Sequence, residues 1–112
     1  NGAKVLVLGV AYKQDIDDYR ESPAIRVIDE LQKVGAEVRY FDPYIPAYQE
    51  GGKVVRGEME LSVESLRNAD LVMITCAHTN INYNFVQQNA RRIFDTKNAM
   101  KNVERRENIE VL

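Results

Sequence analysis

The stretch that decides the fold is KVLVLGV, residues 4–10, a continuous apolar run with a glycine near its end. A run this short and this rich in branched residues predicts a buried parallel strand. Ser22 and Pro23 then predict the start of a helix, because serine is a good N-cap and proline suits the first helical position. Apolar residues recur at helical spacing as far as Leu31, and Gly35 predicts the end of this helix.

The rest of the chain repeats the alternation of strand and helix. The further predicted strands are residues 37–42, 70–76, 92–95 and 108–112, and the further predicted helices are residues 62–68 and 84–90. A short edge strand is also predicted at residues 53–55. This pattern predicts one three-layer, Rossmann-like α/β domain over residues 1–112, with an open, mainly parallel sheet of about five strands and helices on both faces.

Composition excludes several classes of protein. The formal net charge of −2 gives no general field for nucleic acid or an anionic membrane. No apolar stretch approaches the ~20 residues that a membrane-spanning helix needs. Cys76 is the one cysteine, so no internal disulfide can form, and a reducing compartment, the cytoplasm, is expected. Together with the one histidine, His78, it falls short of a zinc site, and no metal is expected.

The sequence begins at Asn1 without an initiator methionine and runs directly into the first strand. No secretory signal is visible. We interpret the chain as part of a larger protein, although the processing of a precursor would give the same pattern.

The loop after the first strand carries the most information about function. It reads GVAYKQDIDDYRESP, residues 9–23, and its single glycine does not form the G-x-G-x-x-G dinucleotide motif. Lys13 and Arg20 lie near the predicted N-terminus of a helix, where cations and free N–H groups favour an anion such as phosphate. The alternative is that both cations pair with the acidic residues of the same loop, and the spacing alone leaves both interpretations open.

Several short motifs, in the right order over nearly the whole chain, resemble the carboxy-terminal, UDP-binding domain of the UDP-glucose/GDP-mannose dehydrogenase family. They are AYK at residues 11–13, DYRESP at 18–23, GAEV at 35–38, DPY at 42–44 and DTKNA at 95–99. The resemblance is closest to UDP-N-acetylhexosamine 6-dehydrogenases, such as UDP-N-acetylglucosamine 6-dehydrogenase.

The resemblance implies an NAD-dependent enzyme that oxidises the primary alcohol of a UDP-sugar to a carboxylate in two steps. The reaction proceeds through a cysteine thiohemiacetal and a thioester, and the product serves polysaccharide biosynthesis. The NAD-binding domain, the central domain and the nucleophile of such an enzyme precede the region matched here. The chain alone is therefore expected to be inactive, and its parent is expected to be a homo-oligomer.

The resemblance also assigns roles to four residues. Tyr12 and Lys13 are expected to face the UDP-sugar, and Arg20 is expected to contact NAD. Lys97 is also expected at the UDP-sugar, where the family usually has arginine; lysine keeps the charge but loses the bidentate fork of arginine.

Cys76 and His78 follow a predicted strand at the ligand-binding edge, which suggests a nucleophile and its base. Against this, free cysteine is among the most buried residue types, the family's nucleophile lies elsewhere, and Ala77 replaces the aspartate that often precedes this histidine. We expect a structural Cys76, a His78 that caps nearby backbone, and no catalytic residue in this chain.

Two other classes of function share the predicted fold. A receiver-like signalling domain needs acidic residues after the first and third strands, and Val10, Ala11, Ala77 and His78 do not supply them. A non-enzymatic nucleotide-binding or regulatory module stays open as the alternative to an enzyme.

Overall fold

A computed structural model describes residues 2–112. The strands are β1 Lys4–Leu8, β2 Glu37–Phe41, β3 Ala47–Glu50, β4 Lys53–Arg56, β5 Leu71–Ile74, β6 Ile93–Asp95 and β7 Ile109–Val111; the helices are α1 Pro23–Lys33, α2 Val63–Asn68 and α3 Tyr83–Asn89. Five strands form one sheet in the order β2-β1-β5-β6-β7, and every neighbouring pair in it is parallel. The predicted five-stranded parallel sheet is therefore confirmed.

Alternate side chains of β1 point into two separate cores, as the pleat of a strand requires. Val5 and Val7 pack with residues of α1, whereas Leu6 and Leu8 pack with residues of α2 and α3 on the opposite face. A central strand buried on both faces explains the continuous apolar run in the sequence. The three-layer arrangement of helix, sheet and helix is thus confirmed.

Helix α1 begins and ends where its capping residues predict. The Ser22 side chain accepts a hydrogen bond from the Ala24 N–H, and Pro23 is the first helical residue. Gly35 follows the C-cap with φ +94°, the left-handed conformation that glycine adopts without strain. The N-terminus of α1 therefore lies at the carboxyl edge of the sheet, directly after the first loop.

The strand predicted at residues 53–55 does not join the main sheet. Residues 53–56 pair antiparallel with β3, a strand that the sequence pattern did not predict, in a separate two-stranded sheet. Gly51 and Gly52, both at positive φ, form the two-residue turn that connects them. Tyr48 of β3 is buried between Tyr19 and Tyr40, with ring centroids 5.7 and 5.4 Å away, so this hairpin covers the sheet beside α1.

The ends of β1 and β5 meet closely at Gly9. This residue has φ +95°, and a Cβ built on it would lie 2.5 Å from the Cβ of Cys76. Only glycine fits this approach, which brings the loops after β1 and β5 together. None of the helices described here is long and apolar enough to cross a bilayer.

Candidate functional site

A cavity of about 370 Å³ opens at the carboxyl edge of the sheet, between the first loop, the N-terminus of α1 and the ends of β5 and β6. Its lining residues are Ala11, Tyr12, Pro23, Ala24, Val27, Met73, Thr75, Phe94, Thr96 and Lys97. Ligands of open parallel sheets bind at this edge, next to the point where the strand order reverses. Here the order reverses between β1 and β5, which are neighbours in the sheet.

A second cavity, of about 340 Å³, lies at the amino ends of β1 and β2. Charged residues of both signs line it, among them Lys4, Arg39, Glu37 and Glu64. It includes none of the residues that the sequence motifs select, and the amino edge of a parallel sheet is not where such folds bind ligands. The cavity at the carboxyl edge is therefore the better candidate.

Two of the predicted site residues, Tyr12 and Lys97, line the cavity at the carboxyl edge together although they are distant in sequence. Tyr12 is 49% exposed and offers an aromatic ring to a ligand. Lys97 is held through its backbone, because its N–H donates to the buried carboxylate of Asp95 at 3.1 Å. The same carboxylate accepts the N–H groups of Ala99 and Met100, so Asp95 shapes the loop that presents Lys97.

Lys13 and Arg20 do not line this cavity. The Lys13 ammonium lies 5.9 Å from the centroid of the Tyr12 ring, and among the ion pairs within residues 2–112 none involves Lys13. Arg20 instead binds both carboxylate oxygens of Asp18, at 3.0 and 2.9 Å, and these bonds lower the pKa of Asp18 to about 2. Of the two interpretations of the loop cations, pairing with an acid of the same loop therefore applies to Arg20 but not to Lys13. The Arg20 side chain nevertheless remains 84% exposed.

A buried pair of Asp42 and His78, which the sequence interpretation missed, joins three loops at this edge. Asp42 Oδ2 lies 2.9 Å from His78 Nε2 and accepts the N–H groups of Val10 and Ala11 at 2.8 and 3.1 Å. Asp42 Oδ1 accepts the N–H of Tyr44 at 2.8 Å. The only sequence signal for this pair is that each residue follows the end of a predicted strand. The sequence does not reveal that β2 and β5 both flank β1, which is what brings the two residues together.

These contacts set the ionisation of Asp42. Burial alone would raise its pKa, but the hydrogen bonds from His78, Tyr44 and Val10 outweigh burial and hold the pKa below 3.8. In dinucleotide-binding Rossmann domains the acid after the second strand binds ribose hydroxyls. Asp42 is buried and already holds four protein donors, so it is not free for that role.

His78 is subject to opposing influences. Burial disfavours the charged imidazolium, but the hydrogen bond with Asp42 favours it and raises the pKa of His78 above its ordinary value. The N–H of Asp15, however, donates to Nδ1 at 2.7 Å, and a nitrogen that accepts a hydrogen bond carries no proton. We therefore assign the neutral ring with its proton on Nε2 to this geometry; charging the ring requires Asp15 to move away.

Cys76 is buried, in agreement with a structural role. Within residues 2–112, no group of three His, Cys, Asp or Glu side chains is arranged to hold a metal ion. The fold, the cavity beside a helix N-terminus and the occupied acid after β2 together define a Rossmann-like ligand-binding domain without the dinucleotide motif.

The chain belongs to the UDP-glucose/GDP-mannose dehydrogenase family. Residues 6–102 match this family's UDP binding domain, which is the match that the sequence motifs predicted. The chain is 31% identical over 104 residues to the UDP-N-acetyl-D-mannosamine dehydrogenase of Pyrococcus horikoshii, covering 88% of this chain and 22% of that protein. It is also 50% identical to the UDP-glucose 6-dehydrogenase of Rhizobium meliloti over 42 residues, 38% of this chain and 10% of that protein.

Solved structures agree with this membership. The UDP-D-ManNAc dehydrogenase of Pyrococcus horikoshii superposes with a TM-score of 0.74 at 26% identity, over 98% of this chain and 25% of that one. The NDP-N-acetyl-D-galactosaminuronic acid dehydrogenase of Methanosarcina mazei superposes with a TM-score of 0.71 at 29% identity, over 88% of this chain and 21% of that one. The chain therefore spans about a quarter of the length of these relatives.

Proposed function

We propose that the chain is the UDP-sugar-binding part of an NAD-dependent nucleotide-sugar 6-dehydrogenase, which oxidises the primary alcohol of the sugar to a carboxylate. The observation that supports this most directly is the cavity at the carboxyl edge, lined by Tyr12 and Lys97, in a domain of the UDP-glucose/GDP-mannose dehydrogenase family. No contact within residues 2–112 favours the alternative of a regulatory module.

The cavity has the chemistry that a nucleoside diphosphate needs. The first turn of α1 borders it, and a helix N-terminus favours negative charge. Lys97, which lines the cavity, supplies a positive charge, and the exposed Lys13 supplies a second one beside Tyr12. The ring of Tyr12 offers a surface on which a base or a sugar can stack.

NAD requires a different site. When bound in the parent enzyme, it supplies the hydride acceptor for the oxidation. The engaged carboxylate of Asp42 and the absence of the G-x-G-x-x-G motif do not fit a dinucleotide site within this domain. We propose that the missing NAD-binding and central domains hold NAD and the cysteine nucleophile, that the exposed Arg20 contacts NAD from this side, and that the isolated chain is inactive.

For the substrate, we favour a UDP-N-acetylhexosamine. Relatives that match most of this chain are named as UDP-N-acetyl-D-mannosamine dehydrogenases, whereas the match to UDP-glucose 6-dehydrogenase covers 38% of it. These names favour mannosamine over the glucosamine expected from the sequence motifs. We further propose that the parent enzyme works in the cytoplasm as a homo-oligomer.

Separate substitutions of the cations test the division of roles. Lys13→Ala and Lys97→Ala each remove a charge-assisted contact, typically about 1.5–3 kcal/mol, and are expected to weaken UDP binding about ten- to a hundredfold. Arg20→Ala is expected to leave UDP binding by the chain nearly unchanged and to raise the NAD requirement of the parent enzyme. Calorimetric titration with UDP and with NAD, on variants shown to be folded, measures both effects.

Arg20→Ala is the matched control for Lys13→Ala, because both remove an exposed cation from the same loop. Equal loss of UDP binding in both variants would point to a general effect of charge. If all three substitutions are silent with both ligands, the site assignment is wrong.

A further inference from the structure

The middle of the first loop is tied to the loop after β5 at one point, Asp15. Its backbone N–H donates to His78 Nδ1 at 2.7 Å, and its carboxylate accepts the N–H of Thr79 at 2.7 Å and the hydroxyl of Thr79 at 2.9 Å. Asp15 has φ +62°, a left-handed conformation that is uncommon outside glycine but that aspartate tolerates better than most residues. These three contacts thus fix the backbone in the middle of the loop.

The His78 ring can act as an anchor because its own position is fixed. The residue is 0% exposed, and Asp42 holds Nε2 at 2.9 Å. The Tyr83 hydroxyl donates to the His78 carbonyl oxygen at 2.7 Å. The Tyr44 ring packs against the imidazole with a centroid distance of 4.8 Å. With its backbone held by Tyr83 and its ring by Asp42 and Tyr44, His78 offers Nδ1 to the first loop in one orientation.

The contact at Asp15 lies in the sequence between the two cations of the loop, Lys13 and Arg20. The N–H of Tyr12 donates to the carbonyl oxygen of Asp18 at 2.7 Å. This hydrogen bond closes a loop of residues 12–18, and Asp15 lies within that loop. Lys13 lies within this closed loop, and Arg20 lies two residues beyond its end. Holding Asp15 therefore restricts where Tyr12 and Lys13 lie relative to the cavity.

We propose that His78 is a positioning residue, which sets the first loop for ligand binding by accepting the Asp15 N–H while Asp42 orients its ring. The inference rests on the proposed function in so far as the ligand is a UDP-sugar. His78 makes no contact with the ligand in this proposal and transfers no proton. The family membership assigns it no role, and the Cys76–His78 alternative from the sequence would have made it a base.

Two substitutions separate the two ring nitrogens. The side-chain oxygen of asparagine can replace Nδ1, so His78→Asn keeps an acceptor for Asp15 and loses the donor to Asp42. The side-chain amide of glutamine reaches the position of Nε2, so His78→Gln keeps the donor to Asp42 and loses the acceptor. If His78 positions the loop, His78→Asn preserves the loop and is the less stable variant, because it leaves the buried Asp42 short of a donor.

The test is amide hydrogen exchange by NMR on the 112-residue chain, with thermal melting of each variant. Exchange of the Asp15 amide is expected to become at least about tenfold faster in His78→Gln and to stay within about threefold in His78→Asn. UDP affinity is expected to fall about tenfold in His78→Gln and to change little in His78→Asn. The less stable variant, His78→Asn, would then be the one that keeps the loop protected from exchange. A purely structural role for His78 predicts the reverse, because loop protection would follow stability.

Loop exchange that follows the melting temperature in both variants would overturn the proposal. If neither variant folds, nitrogen NMR on the unmodified chain decides it: an unprotonated Nδ1 and a protonated Nε2 are expected, and a proton on Nδ1 would contradict the anchor. A chain that shows no UDP binding would count against the proposed function, whereas the exchange comparison would still decide the role of His78.

Discussion

Asp42 and Asp95 are buried acids that organise loops at the edge where the ligand is proposed to bind. Asp42 accepts hydrogen bonds from the first and second loops and from His78, and Asp95 accepts three N–H groups of the loop after β6. A carboxylate has room for about four acceptor bonds, which allows one side chain to hold several backbone segments. Both acids can therefore be essential for the shape of the site without taking part in the chemistry.

The first prediction concerns Asp42→Asn. An amide in place of the carboxylate leaves buried donors without an acceptor, which typically costs about 1–3 kcal/mol, so we expect the variant to lose at least that much of the free energy of unfolding at neutral pH. Because the folded pKa of Asp42 lies below its unfolded value of 3.8, its contribution is complete above that value and is lost as the pH falls through the folded pKa. The difference between wild type and Asp42→Asn should therefore shrink below about pH 4.

Urea unfolding of both proteins at several pH values between about 3 and 7 measures this difference. A difference that stays constant over the whole range would mean that Asp42 does not gain its stabilising effect from ionisation. Asp18 is not a suitable comparison despite its lowered pKa, because its contact with Arg20 is exposed and contributes little to stability.

At the scale of elements, the β3–β4 hairpin does more than fill the connection between β2 and α2. Tyr48 of β3 packs against Tyr40 of β2 and Tyr19 of the first loop. The Tyr19 hydroxyl also accepts the N–H of Gln49 at 3.3 Å. The hairpin thus supports the first loop at Tyr19, next to Arg20 in sequence, whereas His78 holds the loop at Asp15.

The second prediction is that Tyr48→Ala removes this support. Truncating a buried aromatic residue typically costs about 3–5 kcal/mol, and we expect a loss of this size in the free energy of unfolding. Val54→Ala in the same hairpin is the control; its side chain is exposed, so its effect should stay within about 0.5 kcal/mol. Equal effects in chemical denaturation would show that Tyr48 is not packed as described.

At the scale of the whole molecule, the chain holds a complete sheet with a buried core on each face. Because β1 contributes side chains to both cores, the two faces cannot unfold independently of it. We therefore predict that the 112-residue chain unfolds in one cooperative step although it spans only about a quarter of its relatives.

Circular dichroism in the far and near ultraviolet tests this prediction. Both signals should change at the same temperature, with an unfolding enthalpy of about 80 kcal/mol for a domain of this length. A broad near-ultraviolet transition that precedes loss of secondary structure would instead indicate a molten globule and a domain that needs its missing partners.

The sequence by itself determined the local elements, the fold class and the family. Apolar runs, the Ser22-Pro23 start and the Gly35 stop report interactions between neighbours in sequence, so a pattern can reveal them. The same patterns predicted a strand at residues 53–55 but not its partner β3, so they did not reveal that the two form a separate hairpin. Motifs selected Tyr12 and Lys97, which line one cavity.

Only the tertiary structure decided which distant groups meet. Asp42 and His78 pair because β2 and β5 both lie beside β1, and strand order depends on the summed packing of the whole sheet. Arg20 pairs with Asp18 while Lys13 pairs with no acid among the described residues, although the loop offers several carboxylates to both. Which cation meets a carboxylate depends on the path of the loop backbone. The hydrogen bond from Asp15 to His78, 63 residues away in sequence, helps to define that path.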